Sequence, residues 1–452
     1  MANVASALNS VKDKLDQFLP VETIYKACIE VGHHWRRRKF DPAVTFQLFV
    51  LQVLRLNTAI TELRHLAKRP INAAAYCKAR MRLPLQALQR LLEHSAATLS
   101  PSGLQERWLG LRVFLVDGSS TIAPDTPDLQ KKFPQHTSQK KGCGFPTPKI
   151  IGLFDAFSGL ITQVMFFSLY VHDLRGTVQL HPHLKKGDLL VGDRAFCSYG
   201  HFARLNARGV HGLFHAHASL IVSFRRNRKA RKPGQRGKPN SIQVKRLGWE
   251  DQVVNWKRPA VCNRAKWMSA EEHKCMPETL QVRELRYRLK ARGQRTRVVT
   301  IVTTLLDPLL YPKEKIAELY GLRWRVETHF AELKTTLKMR RIKCKTADGV
   351  QKEMLVFCLV YNLVHAVMMR AARRQHVEVD RVSFLDALRW VWSAVPGEEL
   401  PDLLINPRRK NRHQPRVVKD RHDGYQRMTQ PRSKMNRHPD RWPGRKKSRK
   451  GK

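Results

Sequence analysis

Arg112-Val113-Phe114-Leu115-Val116-Asp117-Gly118 is the stretch on which the reading of this chain turns. A β-branched and aromatic run that stops at Asp-Gly predicts a short buried strand ending in a carboxylate. A second strand of the same kind, Leu189-Leu190-Val191, stops at Gly192-Asp193. Between them Lys149 to Phe154 and Leu160 to Val171 read as two strands about a turn at Asp155 to Gly159. A helix from Ser198 to Ala207 and a strand from His211 to His215 follow. Strands with intervening helices predict an α/β core.

Toward the N-terminus the pattern differs. Residues 1–105 carry apolar residues every three to four positions, as in Leu83-Pro84-Leu85-Gln86-Ala87-Leu88-Gln89-Arg90-Leu91-Leu92, and predict an α-helical domain. Within it Thr61 to Lys68, a turn at Arg69-Pro70-Ile71-Asn72, and Ala73 to Leu83 have the layout of a helix-turn-helix. The second helix carries Tyr76, Lys78, Arg80 and Arg82. An ordinary helical hairpin with a basic outer face fits the same residues.

Toward the C-terminus the core, begun at 106–221, is interrupted and resumed. Phe224 to Asn240 holds eight Lys and Arg and no acid among Gly and Pro, and reads as a basic loop. Alternating segments such as Ser241-Ile242-Gln243-Val244 and Thr279-Leu280-Gln281-Val282-Arg283 make 222–297 a β-rich insertion. Val298 to Thr304 returns to a buried strand, and Pro312 opens a long helix to about Met339, so the core resumes over 298–345. Helices at Val350 to Arg374 and Phe384 to Ala394 occupy 346–400. Residues 401–452 have eighteen Lys and Arg against four Asp, a composition that cannot bury a core and predicts a disordered basic tail.

Across 452 residues, 84 Lys and Arg against 37 Asp and Glu leave a net charge of +47. Solubility alone does not require that excess; a polyanionic partner, nucleic acid first, does. The apolar stretch Met354 to Met369 contains Asn362 and His365 and is shorter than the ~20 residues that span a bilayer, so it reads as a buried helix and no membrane is expected. No secretory leader is evident, and the expected location is the cytoplasm, with the chromosome. The eight scattered cysteines read as reduced thiols. Cys262, His273 and Cys275 lie close in sequence but lack a CxxC pair, so zinc is not expected there.

Tyr320, Arg323, Glu327 and Lys334 follow at spacings of three, four and seven. At about 100° per residue they fall within roughly 60° of one another on a helix. Such a stripe suits a site where Glu327 holds a divalent cation, Arg323 and Lys334 grip phosphate oxygens and Tyr320 supplies a hydroxyl. Simple i,i+4 pairing of Arg323 with Glu327, worth ~0.3 kcal/mol, would explain part of it. With Asp117 and Asp193, however, three carboxylates come from separate elements, which is what Mg²⁺ requires.

In this order Val116-Asp117-Gly118-Ser119-Ser120, Gly192-Asp193-Arg194-Ala195-Phe196 and Tyr320-x2-Arg323-x3-Glu327-x6-Lys334 resemble the DDE transposases of bacterial insertion sequences, specifically the family numbered four. All four positions of that family's Tyr-Arg-Glu-Lys signature match, over about residues 110–340. The resemblance implies an RNase H-like catalytic core split by a β-rich insertion. It implies Mg²⁺ or Mn²⁺; the three carboxylates Asp117, Asp193 and Glu327 can hold two such ions, with Asp117 assigned to bridge them because it is read as ending the first strand, and the stripe of Tyr320, Arg323 and Lys334 is assigned to DNA or phosphate contact. It also implies a homodimer on double-stranded DNA, joining the element's terminal inverted repeats to target DNA by hydrolysis and strand transfer. Two other outcomes fit the residues: a DNA-binding protein that has lost catalysis, and a nuclease of the same fold that cuts without joining.

Asp188 reads as a turn residue, and Asp155 and Asp173 as loop residues. Trp249, Trp256 and Trp267 lie in the insertion, where an aromatic could stack on an extruded base, although core packing is the more common fate of tryptophan. Trp324 is expected to pack the signature helix against the sheet. Sequence reading is assigned to the N-terminal helices, and sequence-independent phosphate contact to the basic loop and tail.

Overall fold

The fold is described from a computed structural model covering residues 18–36, 39–67, 70–99, 107–226, 239, 241–263, 265, 267–289, 297–395 and 398–407. Most of the basic loop, and the basic tail from residue 408, lie outside the described residues.

Strand β1 (Arg112–Ser120) buries Val113 and Leu115 on one face and Phe114 and Val116 on the other. A strand apolar on both faces belongs in the middle of a covered sheet. β1 pairs antiparallel with β2 (Pro148–Asp155) on one side and parallel with β4 (Asp188–Gly192) on the other. β3 (Ile161–Ser168) flanks β2, and β5 (His211–His215) runs parallel to β4. Beyond β5 the sheet continues antiparallel through β9 (Arg297–Thr303), β8 (Thr279–Leu289), β7 (Asp251–Lys257) and β6 (Ser241–Gly248). The order is thus β3-β2-β1-β4-β5-β9-β8-β7-β6 in one nine-stranded sheet. The segment read as an insertion does form strands, but they extend the central sheet, because β9 pairs with β5 and β8 at once.

Helices cover both faces. On one lie α1 (Val21–Glu30), α2 (Pro42–Leu54), α3 (Ala73–Arg82) and α4 (Leu85–Leu99). On the other, α5 (Tyr199–Ala207) packs Phe202 against Phe214 of β5, its N-terminus capped by Ser198. The later helices α6 (Lys313–Gly321), α7 (Arg325–Ala331), α8 (Ala347–Arg374) and α9 (Phe384–Ser393) rejoin the first face. The apolar stretch expected to be a buried helix is the middle of α8, and it is buried among these elements.

The N-terminal helices do not stand apart. They share one apolar core with α7, α8 and the sheet. Polar ties reinforce it: Asn57 donates to the Glu353 carboxylate and to the Arg341 carbonyl, Lys352 donates to the Met81 carbonyl, and Asn362 donates to the Ser95 hydroxyl. The expected helix-turn-helix is only partly present. Its first helix is a 3₁₀ turn (Ile60–Glu62) and a single α-turn (Leu63–Leu66), Lys68 and Arg69 lie outside the described residues, and Leu83 lies past the end of α3. Asn72 caps α3 by accepting from the Ala75 N–H. Tyr76 and Arg80 face inward: Arg80 donates to Gln52 Oε1 and lies 3.8 Å over the Phe49 ring. Lys78 and Arg82 are the exposed cations of that helix.

Candidate active site

Asp117 is not the end of its strand, as the Asp-Gly pair suggested. β1 continues to Ser120 because β2 keeps pairing with it through Ser120↔Lys149. The parallel partner stops sooner: Leu115↔Val191 is the last registered pair with β4. One step beyond Val116 and Gly192, the same register sets Asp117 beside Asp193. Both therefore sit where two adjacent parallel strands part, at their carboxyl ends, the usual place for ligands in open α/β sheets.

Side-chain alternation then sets their direction. Val113, Leu115, Leu189 and Val191 all point into the core formed with α7 and α8, so Asp117 and Asp193 share that face. The Gly118 N–H donates to Asp117 Oδ1 at 2.7 Å, and the Ala195 N–H to Asp193 Oδ1 at 2.8 Å, where Asp193 caps a 3₁₀ turn. Burial pushes the Asp117 carboxyl up to about 6, and the neighbouring charges of Asp193 and Asp173 push the same way. The Gly118 hydrogen bond and Arg323 oppose the rise without cancelling it.

The helical run that carries the third carboxylate is broken twice. A 3₁₀ turn at Leu322–Trp324 separates α6 from α7, and a π-turn at Glu332–Thr336 follows α7. Tyr320 and Arg323 are consequently buried, while Glu327 is half-exposed and 3.3 Å from Arg323 Nη2. Lys334, inside the π-turn, reaches back to β1, its Nζ 3.1 Å from Ser119 Oγ. π-turns recur at functional sites because the extra residue redirects side chains. Burial, with Arg340 second, lowers the Lys334 pKa.

Asp117, Ser119, Glu327, Lys334 and Arg340 line one open cleft of about 260 Å³. Asp193, Tyr320 and Arg323 do not line this cleft; the charge of Asp193 acts on Asp117, and Arg323 pairs with Glu327. The sequence analysis did not single out Arg340 or Ser119; Ser119 lay within the quoted motif, and Arg340 belongs to the basic cluster Lys338-Met339-Arg340-Arg341 that follows Lys334.

Other expectations are corrected. Trp324 does not pack on the sheet: it is 50% exposed and its ring lies 4.2 Å from the Arg323 guanidinium carbon. The tight turn at Leu322–Trp324 shifts its helical phase outward. Asp173 is no loop residue but opens a short helix and pairs with Lys149 at 3.0 Å, against Gly118. Asp188, the first residue of β4, makes a two-pronged pair with Arg112 (2.8 and 2.6 Å) and also accepts the Lys185 N–H in a turn. Asp155 accepts from Phe157, Ser158 and the Ser158 hydroxyl, fixing the β2–β3 turn as read. Trp256 is buried and donates to Glu284, Trp267 packs beneath Arg204, and Trp249 is 72% exposed. Cys262 and Cys275 are exposed, and all eight cysteines are free thiols. Among the described residues, His273 does not join them in a metal-ligand group.

Two acids on adjacent parallel strands, a third on a facing helix and cations at the rim define a class of site suited to an enzyme acting on DNA. Residues 108–363, more than half of the chain, match the family model of the transposase DDE domain. The chain belongs to this family and is a DNA transposase. It is 25% identical over 376 residues to "Transposase InsG for insertion sequence element IS4" of Escherichia coli (strain K12), covering 78% of each chain. A cryo-EM structure of piggyBac transposase in a synaptic complex with hairpin DNA is similar over 84% of this chain and 79% of that one, with 10% identity and a TM-score of 0.42.

Proposed function

We propose that this transposase moves an insertion sequence by cut-and-paste, with Asp117, Asp193 and Glu327 holding two Mg²⁺ or Mn²⁺ ions in an RNase H-like core. The observation that carries this reading is the register: it sets Asp117 beside Asp193 on the face that α7, bearing Glu327, covers. Burial first, and then the charge of Asp193, raise the Asp117 pKa, and a bound cation would favour its ionised form. Hard oxygen ligands from separate elements suit Mg²⁺, and an ion pair there would activate water or a 3′-hydroxyl and stabilise the leaving oxygen.

In this reading the protein's own groups bind and orient. Asp117, Asp193 and Glu327 would hold the ions, and Arg323 keeps the Glu327 carboxylate in place. Lys334 and Arg340 meet phosphate oxygens at the cleft, and the buried Tyr320 and Arg323 act on the DNA through Glu327, which Arg323 holds. Of the three tryptophans, Trp249 has the exposure that stacking on an extruded base needs. Terminal inverted repeats are recognised by the N-terminal helices, through Lys78 and Arg82. The partners are double-stranded DNA, as element ends and target, and a second copy of the chain, in the cytoplasm with the chromosome.

A strand-transfer assay tests this reading against a cutting-only nuclease and against a DNA-binding protein without catalysis. Labelled DNA carrying the ends of the genomic element is mixed with the protein, Mg²⁺ and a supercoiled plasmid. Joined products are expected. Cut ends without joining favour the nuclease, and bound but uncut ends favour the protein that only binds.

A further inference from the structure

We propose that His329, Glu332 and His365 bind one Zn²⁺ ion, at a site separate from the Asp117 cleft that clamps the signature helix to the central helix α8. This rests on no part of the preceding proposal. His329 lies in α7, Glu332 is the first residue of the π-turn, and His365 lies in α8. Glu332 Oε2 is 3.7 Å from His329 Nδ1 and 3.5 Å from His365 Nε2, and the three ligand atoms all lie within 4.8 Å of one another. Tetrahedral zinc with bonds of about 2.0–2.1 Å places its ligand atoms ~3.4 Å apart, so little movement closes the site.

The protons point the same way. His365 Nδ1 is 3.2 Å from the Ser158 carbonyl, which can only accept, so Nδ1 carries the hydrogen and Nε2 presents a lone pair toward Glu332. Tyr361 donates to the Gly159 carbonyl at 3.1 Å, and its oxygen, 2.8 Å from His329 Nδ1, accepts that nitrogen's hydrogen. His329 Nε2 is then also bare, while Nδ1 is the nitrogen that lies 3.7 Å from Glu332 Oε2. His329 Nε2, His365 Nε2 and Glu332 Oε2 are among the buried side-chain atoms with no hydrogen-bond partner. His329 and His365 are only 6% and 3% exposed. A shared cation would satisfy both rings and the carboxylate at once, in place of the imidazole–carboxylate contacts that otherwise join them.

Ring-to-carbonyl and ring-to-phenol bonds of this kind are the outer-shell supports that orient metal-binding histidines. Gly159, at φ +73°, permits the close seat: a Cβ there would stand 2.7 Å from His365 Cε1 and 3.0 Å from His329 Cε1. Two imidazoles and one carboxylate select zinc over Mg²⁺, which demands oxygens in octahedral array.

The test uses the full chain, grown with added zinc and dialysed against Mg²⁺ buffer, with metal content measured by mass spectrometry. One zinc per chain is expected in the wild type and in an Asp117→Ala/Asp193→Ala double variant, and none in Glu332→Gln or His365→Gln. Cobalt replacement in the wild type should give the intense visible absorption of a tetrahedral nitrogen–oxygen site. Should both ligand variants fail to fold, that wild-type spectrum decides alone. Zinc absent from the folded wild type, only the weak absorption of octahedral cobalt, or zinc lost from the double variant but kept in His365→Gln would each overturn the proposal.

Discussion

Lys334 Nζ lies 3.1 Å from Ser119 Oγ, two residues beyond Asp117 on the same face of the same strand. A cation is thereby anchored beside the carboxylates instead of extending into solvent. If it holds a phosphate, Lys334→Ala should weaken binding of element ends uniformly across sequences. The slope of log affinity against log salt should fall by about one. Ser119→Ala, which frees the lysine but leaves its charge, should change that slope little. Fluorescence anisotropy at several salt concentrations measures both, and an unchanged slope in Lys334→Ala contradicts the role.

Asp117 makes stability depend on pH. Its carboxyl titrates at about 6 when folded against an ordinary 3.8, so folding favours the protonated form. The stabilising contribution is whole below pH 3.8 and lost as pH rises through 6. At pH 8 without metal, the ionised group opposes folding by about 1–3 kcal/mol. Asp117→Asn should therefore raise the melting temperature at pH 8, with the gain vanishing below pH 4. Mg²⁺ should raise it in the wild type and much less in the variant.

Two aspartates five residues apart should fail differently. Asp188 is buried in a paired, hydrogen-bonded contact with Arg112, and Asp188→Ala leaves that guanidinium uncompensated at a cost of about 3–5 kcal/mol. Asp193→Ala should leave the unfolding free energy within about 1 kcal/mol of wild type, since the group it removes is partly exposed. Chemical unfolding of both variants checks the distinction.

Much of this was legible because it is local. The bounds of β2, β4, β5 and α8 follow from apolar runs and their punctuation, and the carboxylates could be picked from Asp-Gly, Gly-Asp and the helical spacing. What escaped was decided by partners far along the chain. β1 outruns Asp117 because β2 continues to pair with it, and the strands after residue 240 join the main sheet because β9 enters between β5 and β8. Arg80 turns inward because Gln52 and Cys344 satisfy it, which no helical wheel could reveal. The 3₁₀ and π turns alter the phase of the signature helix without a Pro to announce them, so the exposure of Trp324 was misjudged.

Trp249 and Trp256 provide a contrast within seven residues. Trp256→Ala removes a buried ring and one of the hydrogen bonds to Glu284, and should cost about 3–5 kcal/mol of stability. Trp249→Ala should leave stability within about 0.5 kcal/mol while weakening the complex with cleaved ends, as stacking is worth ~1–3 kcal/mol per base. Urea melts and end-binding measurements separate the two effects.

The central claim is that Asp117, Asp193 and Glu327 act together through metal. It is tested most directly by incubating labelled element ends with the wild type, Asp117→Ala, Asp193→Ala and Glu327→Ala, each in Mg²⁺ and in EDTA. Cleavage by the wild type in Mg²⁺ alone, with every variant binding the ends and none cutting, is the predicted result. Cleavage that persists in EDTA, or in any of the three folded variants, would contradict it.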